Sequence, residues 1–553
     1  MPVMAARAIR ARTPERAACS AGVALTSACI GLSPALAQKA LVALGLAFAR
    51  SFVGGLLVLD RFFFGRFGRL GGFFRVGGGR EHLHRLARQG PAQQAKPDGQ
   101  GKAKTEAKAS QGLGPMRWFH ARLPVVLGDH RPAPNLCKRA FKNGPFSRYD
   151  DGMNTDTKPF LRQAVIDLEE SLIREVANAG MARSDVLAFW FGESDEVTPD
   201  IVRQAAIDSL QKGETFYAHN LGLPELRQAV SDYMSALHGP VGVERLAITS
   251  GGVNALMLAA QALIDAGDEV VAITPVWPNL TAQTLVMGAH LTCLPLRPVQ
   301  GQWQLDMAAL KVAITPRTRV LIVNSPNNPT GWTLSRAEQA EILAHCRSTG
   351  TWVMADEVYE RLYYETDTAN GCAPSFLDVS EPDDRLVVVH SFSKSFLMTG
   401  WRLGWLVMPA AMAQHMGKLI EFNTSCASVF TQRAGEVALR HTADITPRVV
   451  AHLKTCRDTL VPLLQALPRV QVAAAKGGMY AFFKLEGHPD AVVTAKRLVA
   501  EAGLGLAPGE AFSPEAAGWL RWCFASKDLS RLNQGVERLK DWLAKNQLGS
   551  DPN

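Results

Sequence analysis

Between residues 246 and 390, short apolar runs recur at 246–249, 270–273, 320–323, 352–355 and 386–390, separated by stretches with helical patterning. Runs this short, rich in Val, Ile and Leu, fit strands buried on both faces better than helices, which need about ten residues or more. A parallel neighbour is reached only through a crossover, so strands that alternate with helices imply an α/β fold with a mostly parallel sheet. Ligands of such sheets sit beyond the carboxyl ends of the strands.

The residues after each run carry chemistry. The first leads into Ser250-Gly251-Gly252-Val253, where a helix opening at the glycines would offer backbone N–H groups and its positive dipole end to an anion. The second ends near Trp277, an indole on which a flat ring can stack. Asn324-Ser325-Pro326-Asn327-Asn328-Pro329-Thr330-Gly331 follows the third, and Asp356-Glu357-Val358-Tyr359 the fourth. Beyond the fifth stands Ser391-Phe392-Ser393-Lys394-Ser395-Phe396-Leu397-Met398-Thr399-Gly400-Trp401-Arg402-Leu403-Gly404-Trp405. A lysine against apolar walls can lose its proton near neutral pH and attack a carbonyl carbon to form a Schiff base. Ser391, Ser393 and Arg402 suit a phosphate beside it. Taken alone, each of these features is usually structural; the set, in order and at strand ends, is specific.

The lysine stretch closely resembles the pyridoxal-phosphate lysine signature of the class I/II aminotransferases of the fold type I superfamily. The likeness covers about residues 153–547 and implies a mostly parallel seven-stranded-type sheet in a large domain with a smaller α+β domain. Lys394 is then the catalytic residue, and pyridoxal 5′-phosphate the cofactor. Gly251, Gly252, Val253, Ser391, Ser393 and Arg402 would hold its phosphate, and Trp277 would stack on its ring. Asp356 would bind the pyridine nitrogen, while Asn328 and Tyr359 would bind the phenolic oxygen. Tyr217, in Tyr217-Ala218-His219-Asn220, matches a tyrosine that reaches the phosphate of a neighbouring subunit, so a homodimer with shared active sites is implied. Gly192, Asn328 and Arg521 match the substrate-binding positions. An arginine among the apolar residues of Leu520-Arg521-Trp522-Cys523-Phe524 is costly unless paired. A substrate carboxylate or a protein acid could be its partner, and the resemblance assigns the substrate.

The implied reaction transfers an amino group between an L-amino acid and a 2-oxo acid with ping-pong kinetics. A carbon–sulfur β-lyase shares the same constellation, and aminotransferase-like transcriptional regulators share the same body, so both stay open from the motifs. Some family members that accept dicarboxylates carry a lysine directly after the phosphate-loop glycines. This chain has Val253 there, which leaves the donor and acceptor unassigned.

The 553 residues exceed one core. The formal charge of +8 is uneven: residues 1–152 hold 24 of the 59 Lys and Arg but 8 of the 51 Asp and Glu, leaving 35 basic and 43 acidic residues in the rest. An acidic body gives no reason to expect nucleic acid as a partner. Nine scattered cysteines without a C-x-x-C pair fit a reducing, cytoplasmic setting, and no metal site is expected. Residues 1–152 read as an extension that is disordered or non-native, with targeting or anchoring as the alternative. Their apolar stretch at 40–59 contains Arg50, which costs about 2.5 to 3.5 kcal/mol on insertion scales, so a membrane span is not expected. By the resemblance, residues 195–435 form the large cofactor domain, and 153–194 join 436–553 in a small domain able to close over substrate. Leu161, Val165, Leu168, Leu172 and Val176 recur with helical spacing and predict one amphipathic helix over 160–179.

Overall fold

A computed structural model describes residues 160–546, so the expected extension over residues 1–152 lies outside the described residues. The central sheet has seven strands: β1 Leu246–Thr249, β2 Glu269–Thr274, β3 His290–Pro295, β4 Thr318–Asn324, β5 Trp352–Asp356, β6 Leu386–Ser391 and β7 Gly404–Val407. Their order is β1-β7-β6-β5-β4-β2-β3. Neighbours from β6 through β3 pair in parallel. Only β7 runs against both of its neighbours, β6 and β1.

The five apolar runs are β1, β2, β4, β5 and β6. The other two strands escaped the pattern for physical reasons. As an edge strand, β3 is only half-buried, and β7 has just four residues and begins inside the lysine stretch. Side chains alternate between two cores. Ile248, Val271, Leu321, Val353 and Val388 pack on one face, while Ala247, Val270, Val320, Met354 and Val387 pack on the other. Covering both faces is what makes each strand read as an unbroken apolar run. Val387, Val388 and Val389 are fully buried, each worth about 1.5 to 3 kcal/mol of apolar burial, which anchors the strand leading to Lys394.

Register brings the strand ends level. Asn324 pairs with Asp356, and Asp356 with Val389. The Asn324 side chain reinforces this edge, donating to the Asp356 carbonyl at 3.0 Å and accepting from the Asn328 N–H at 2.7 Å.

A second sheet is antiparallel, built from β8 Val470–Val472, β9 Tyr480–Leu485, β10 Ala507–Pro508 and β11 Trp519–Cys523 in the order β8-β9-β11-β10. Leu187–Ala188 pairs in parallel with Leu504–Gly505, which lies far along the chain. Register sets Phe482 opposite Arg521 and Tyr480 opposite Cys523.

The single helix expected over 160–179 is instead two, Gln163–Ile166 and Leu172–Asn178. Ser171 restarts the chain as an N-cap, its hydroxyl accepting from the Arg174 N–H at 3.3 Å. Ile173 and Val176 of the second helix are buried, whereas Leu161, Val165 and Leu168 are exposed, so among the described residues the first half of the stripe is left exposed.

Candidate active site

The carboxyl ends of β1, β4, β5 and β6 open on a cavity of about 580 Å³. Gly192, Gly252, Val253, Trp277, Asn328, Asp356, Tyr359, Ser391, Ser393, Lys394, Arg402 and Arg521 all line it. Chain segments up to about 330 residues apart in sequence therefore meet there, as the contact of Arg521 with the Trp190 carbonyl illustrates.

One end of the cavity is built for an anion. The helix Gly252–Leu263 begins here with no side-chain cap on its first N–H groups, so they and the dipole face the cavity. Gly251 stands just behind, with φ 92°, and a Cβ there would lie 2.5 Å from the Arg402 guanidinium. Only glycine permits that approach. Arg402 itself holds a left-handed φ of 53°, and its guanidinium donates to the Thr399 carbonyl at 2.7 Å. The Ser391 hydroxyl bonds the Ser393 hydroxyl at 2.9 Å and accepts from the Ser393 N–H at 3.1 Å.

Lys394 and Asp356 occupy the middle. The Lys394 amine donates to the Gly192 carbonyl at 2.6 Å and lies 5.5 Å from the centre of the Tyr359 ring. Burial lowers its pKa from 10.5 to about 8, with Arg521 adding to the effect and Cys523, Glu193 and Asp356 opposing it. Burial also raises the Asp356 carboxyl to about 7, moderated by the Val358 N–H and by Lys394. Glu357 and Glu360, in the same turn as Asp356 and Tyr359, serve a different purpose. Glu357 accepts from the Ser375 hydroxyl at 2.5 Å and the Phe376 N–H at 2.9 Å. Glu360 meets His238 at 3.0 Å, and His238 meets Asp378 at 2.8 Å. Burial disfavours a charged His238, yet these two carboxylates overcome it and raise the imidazole to about 10. The turn that presents Asp356 and Tyr359 is thus tied down from behind.

The far wall belongs to Arg521, which is 2% exposed. Its guanidinium donates to the Asn328 Oδ1 at 2.9 Å and to the Trp190 carbonyl, and lies over the rings of Tyr480 and Phe512 at 4.6 and 4.8 Å. No carboxylate pairs with it among the described residues, and its Nε has no partner. A buried cation left in this state suits an anionic ligand.

Two residues need separate mention. Tyr217 does not line the cavity; it is 88% exposed on the single chain. Tyr480 also lines the cavity and is not among the site residues expected from the sequence. A polar aromatic residue opening a mostly apolar strand is the available signal.

The sequence profile described as Aminotransferase class I and II matches residues 185–539. The chain belongs to this family. It is similar to the aspartate aminotransferase of Pyrococcus horikoshii, with 30% identity over 394 residues that cover 70% of this chain and 98% of that enzyme. The aspartate aminotransferase of Thermotoga maritima is 31% identical over 360 residues, covering 65% of this chain and 92% of its own length. Among solved structures, the aspartate aminotransferase from Thermus thermophilus with maleate superposes with a TM-score of 0.65 at 30% identity, covering 69% of this chain and all of that one. The protein is therefore a fold type I aminotransferase that depends on pyridoxal phosphate. The cavity of this aminotransferase fits that cofactor by its own chemistry. The uncapped helix end, Ser391, Ser393 and Arg402 suit a phosphate, and a lowered amine stands beside a buried carboxyl.

Proposed function

We propose that this aminotransferase moves an amino group from an L-amino acid to a 2-oxo acid at Lys394. The observation that carries the reading is a lysine lowered to about 8 that shares one cavity with a buried guanidinium that pairs with no protein acid among the described residues. Pyridoxal phosphate, when bound, supplies an electron sink that makes the substrate α-proton acidic. Ser391, Ser393, Arg402 and the N–H groups of Gly252 and Val253 would hold its phosphate, and Trp277 would stack on its ring. Asp356 would keep the pyridine nitrogen protonated, and Asn328 with Tyr359 would donate to the phenolic oxygen. Arg521 would take the substrate α-carboxylate beside Gly192 and Asn328. The Lys394 amine would take the substrate α-proton at Nζ and later give it back. Closure of the small domain would exclude water while it does so.

The experiment is a half-reaction. Given an L-amino acid alone, each active site should release one equivalent of 2-oxo acid and stop, and an added 2-oxo acid should restart turnover. A donor and acceptor panel should begin with aspartate, the donor in the relatives' names, and extend to neutral amino acids because Val253 brings no cation to a second carboxylate. Continuous release of pyruvate and ammonia from cystathionine without an acceptor would identify a β-lyase instead.

Cofactor uptake tests the lysine. Because only the neutral amine attacks a carbonyl, cofactor-free protein should take up pyridoxal phosphate faster as pH rises, with the rate levelling above about 8 rather than climbing towards 10.5. Absorbance after mixing, across about pH 6.5 to 9.5, reads this directly. A rate still climbing at the top of that range would mean an ordinary, solvated lysine.

A homodimer follows from the same reading, with Tyr217 serving the phosphate site of the second copy. Phe160, Phe216, Tyr217 and Phe422 are 92%, 83%, 88% and 90% exposed on the single chain, an amount of bare aromatic surface that supports a protein partner. Light scattering of the active species should give at least two chains. An active single chain would contradict the assignment of Tyr217. The parallel pairing of Leu187–Ala188 with Leu504–Gly505 supports grouping residues 153–194 with 436–553 as the closing unit against 195–435. Cytoplasmic placement is supported by six free cysteines among the described residues; no helix among them is long and apolar enough to cross a membrane.

A further inference from the structure

Tyr480 opens β9, and its hydroxyl lies 2.6 Å from that of Tyr359. Both side chains are buried, and their rings meet edge to face at 5.7 Å. The chain makes specific room for this hydroxyl: a Cβ on Gly192 would stand 2.1 Å from it. Burial holds both phenols well above the usual value, so each keeps its proton at neutral pH. Asp356 from β5, Lys394 beyond β6, and Arg521 and Cys523 from β11 are the titratable groups that face the pair.

Proton counting then fixes the direction of the contact. Two hydroxyls carry two protons, and one O–H···O bond uses one of them. Neither hydroxyl has another partner among the described residues. The Tyr480 ring lies under the Arg521 guanidinium, which has donors only. If Tyr359 donated, the Tyr480 proton would be left near the Arg521 charge without an acceptor among the described residues. We propose that Tyr480 is a positioning residue: it donates to the Tyr359 oxygen and thereby turns the Tyr359 proton into the cavity, towards the cofactor's phenolic oxygen. The inference rests on the reading of the site given above, in which Tyr359 binds that oxygen.

Accepting a hydrogen bond makes Tyr359 a stronger donor, by about 10–30% per bond in condensed phases. A stronger donor favours the anionic phenolic oxygen, which lowers the pH at which the bound chromophore loses its proton. Removing the Tyr480 hydroxyl must therefore raise that midpoint.

The test titrates the absorbance of the full-length protein loaded with pyridoxal phosphate. Tyr480→Phe keeps the ring beneath Arg521 and deletes only the hydroxyl. Its midpoint should rise by about 0.3 to 1 pH unit, the scale of one hydrogen bond. Gly192→Ala, whose Cβ would displace the hydroxyl, should shift it the same way. Tyr359→Phe should raise it further, and the double variant Tyr359→Phe/Tyr480→Phe no more than Tyr359→Phe alone, because the effect passes through Tyr359. An unchanged midpoint in Tyr480→Phe, or additive shifts in the double variant, would overturn the inference while leaving the site reading intact. A wild-type protein with no titrating chromophore would overturn the site reading itself.

Discussion

Lys394→Ala should yield a folded protein that still binds pyridoxal phosphate yet turns over at least about 10⁴-fold more slowly. General acid–base help alone contributes roughly 10²- to 10⁴-fold, and this variant also loses the amine that exchanges with the substrate. Binding should survive because Asp356, Ser391, Arg402 and the helix end do not depend on Lys394. Borohydride treatment of the wild type should fix the cofactor to the peptide containing Lys394, and the variant should take up no label. Stability gives an independent check of the same lysine. Its folded pKa, about 8, lies below the ordinary 10.5, so below pH 8 the folded state buries a charge that the unfolded state keeps solvated. That penalty is full below about pH 8 and fades as pH rises towards 10.5. Cofactor-free Lys394→Ala should therefore melt higher than cofactor-free wild type at pH 7, with the gap closing near pH 10. A label on Lys418 or Lys476, normal turnover in the variant, or a lower melting temperature at pH 7 would each contradict the assignment.

What the sequence revealed of this fold follows from burial. Strands covered on both faces, such as β6 with its three buried valines, cannot carry polar residues until they end. Their polar termini, Asp356, Ser391 and Lys394, then stand out against the apolar run. Local contrast of this kind made most of the cofactor cavity readable. It failed where a residue's meaning depends on a distant partner. Tyr480 looks like an ordinary strand residue until Tyr359, 121 positions away, supplies the second hydroxyl. Gly192 is expected at the substrate, and nothing local to it tells that its missing side chain also leaves room for the Tyr480 oxygen. The helical stripe over 160–179 failed differently. Its spacing is sound, but Leu161, Val165 and Leu168, before Ser171, meet no core among the described residues, and periodicity alone cannot supply one.

At Arg521 the sequence leaves two partners open, and the geometry favours one of them. On β11 its neighbours required a partner, and either a protein acid or a ligand carboxylate would have served. Asn328 and the Trp190 carbonyl are neutral, and Nε is left without a partner, so the charge is uncompensated among the described residues. On the proposed reading substrate supplies the missing anion, and Arg521→Met should lower kcat/KM by about 30- to 5,000-fold, mostly through KM, because truncating one side of a buried charged pair costs about 2 to 5 kcal/mol. Lysine should not rescue it, since an ammonium cannot reproduce the fork that grips a carboxylate. The stability effect should run the other way. A methionine of similar length removes a buried, unpaired cation, so the substrate-free variant should be as stable as the wild type or more so. A guanidinium that merely held the core together would give the reverse pair of results, a destabilised protein whose KM is unchanged. Initial rates against donor concentration and a melting curve of the cofactor-loaded protein separate the two.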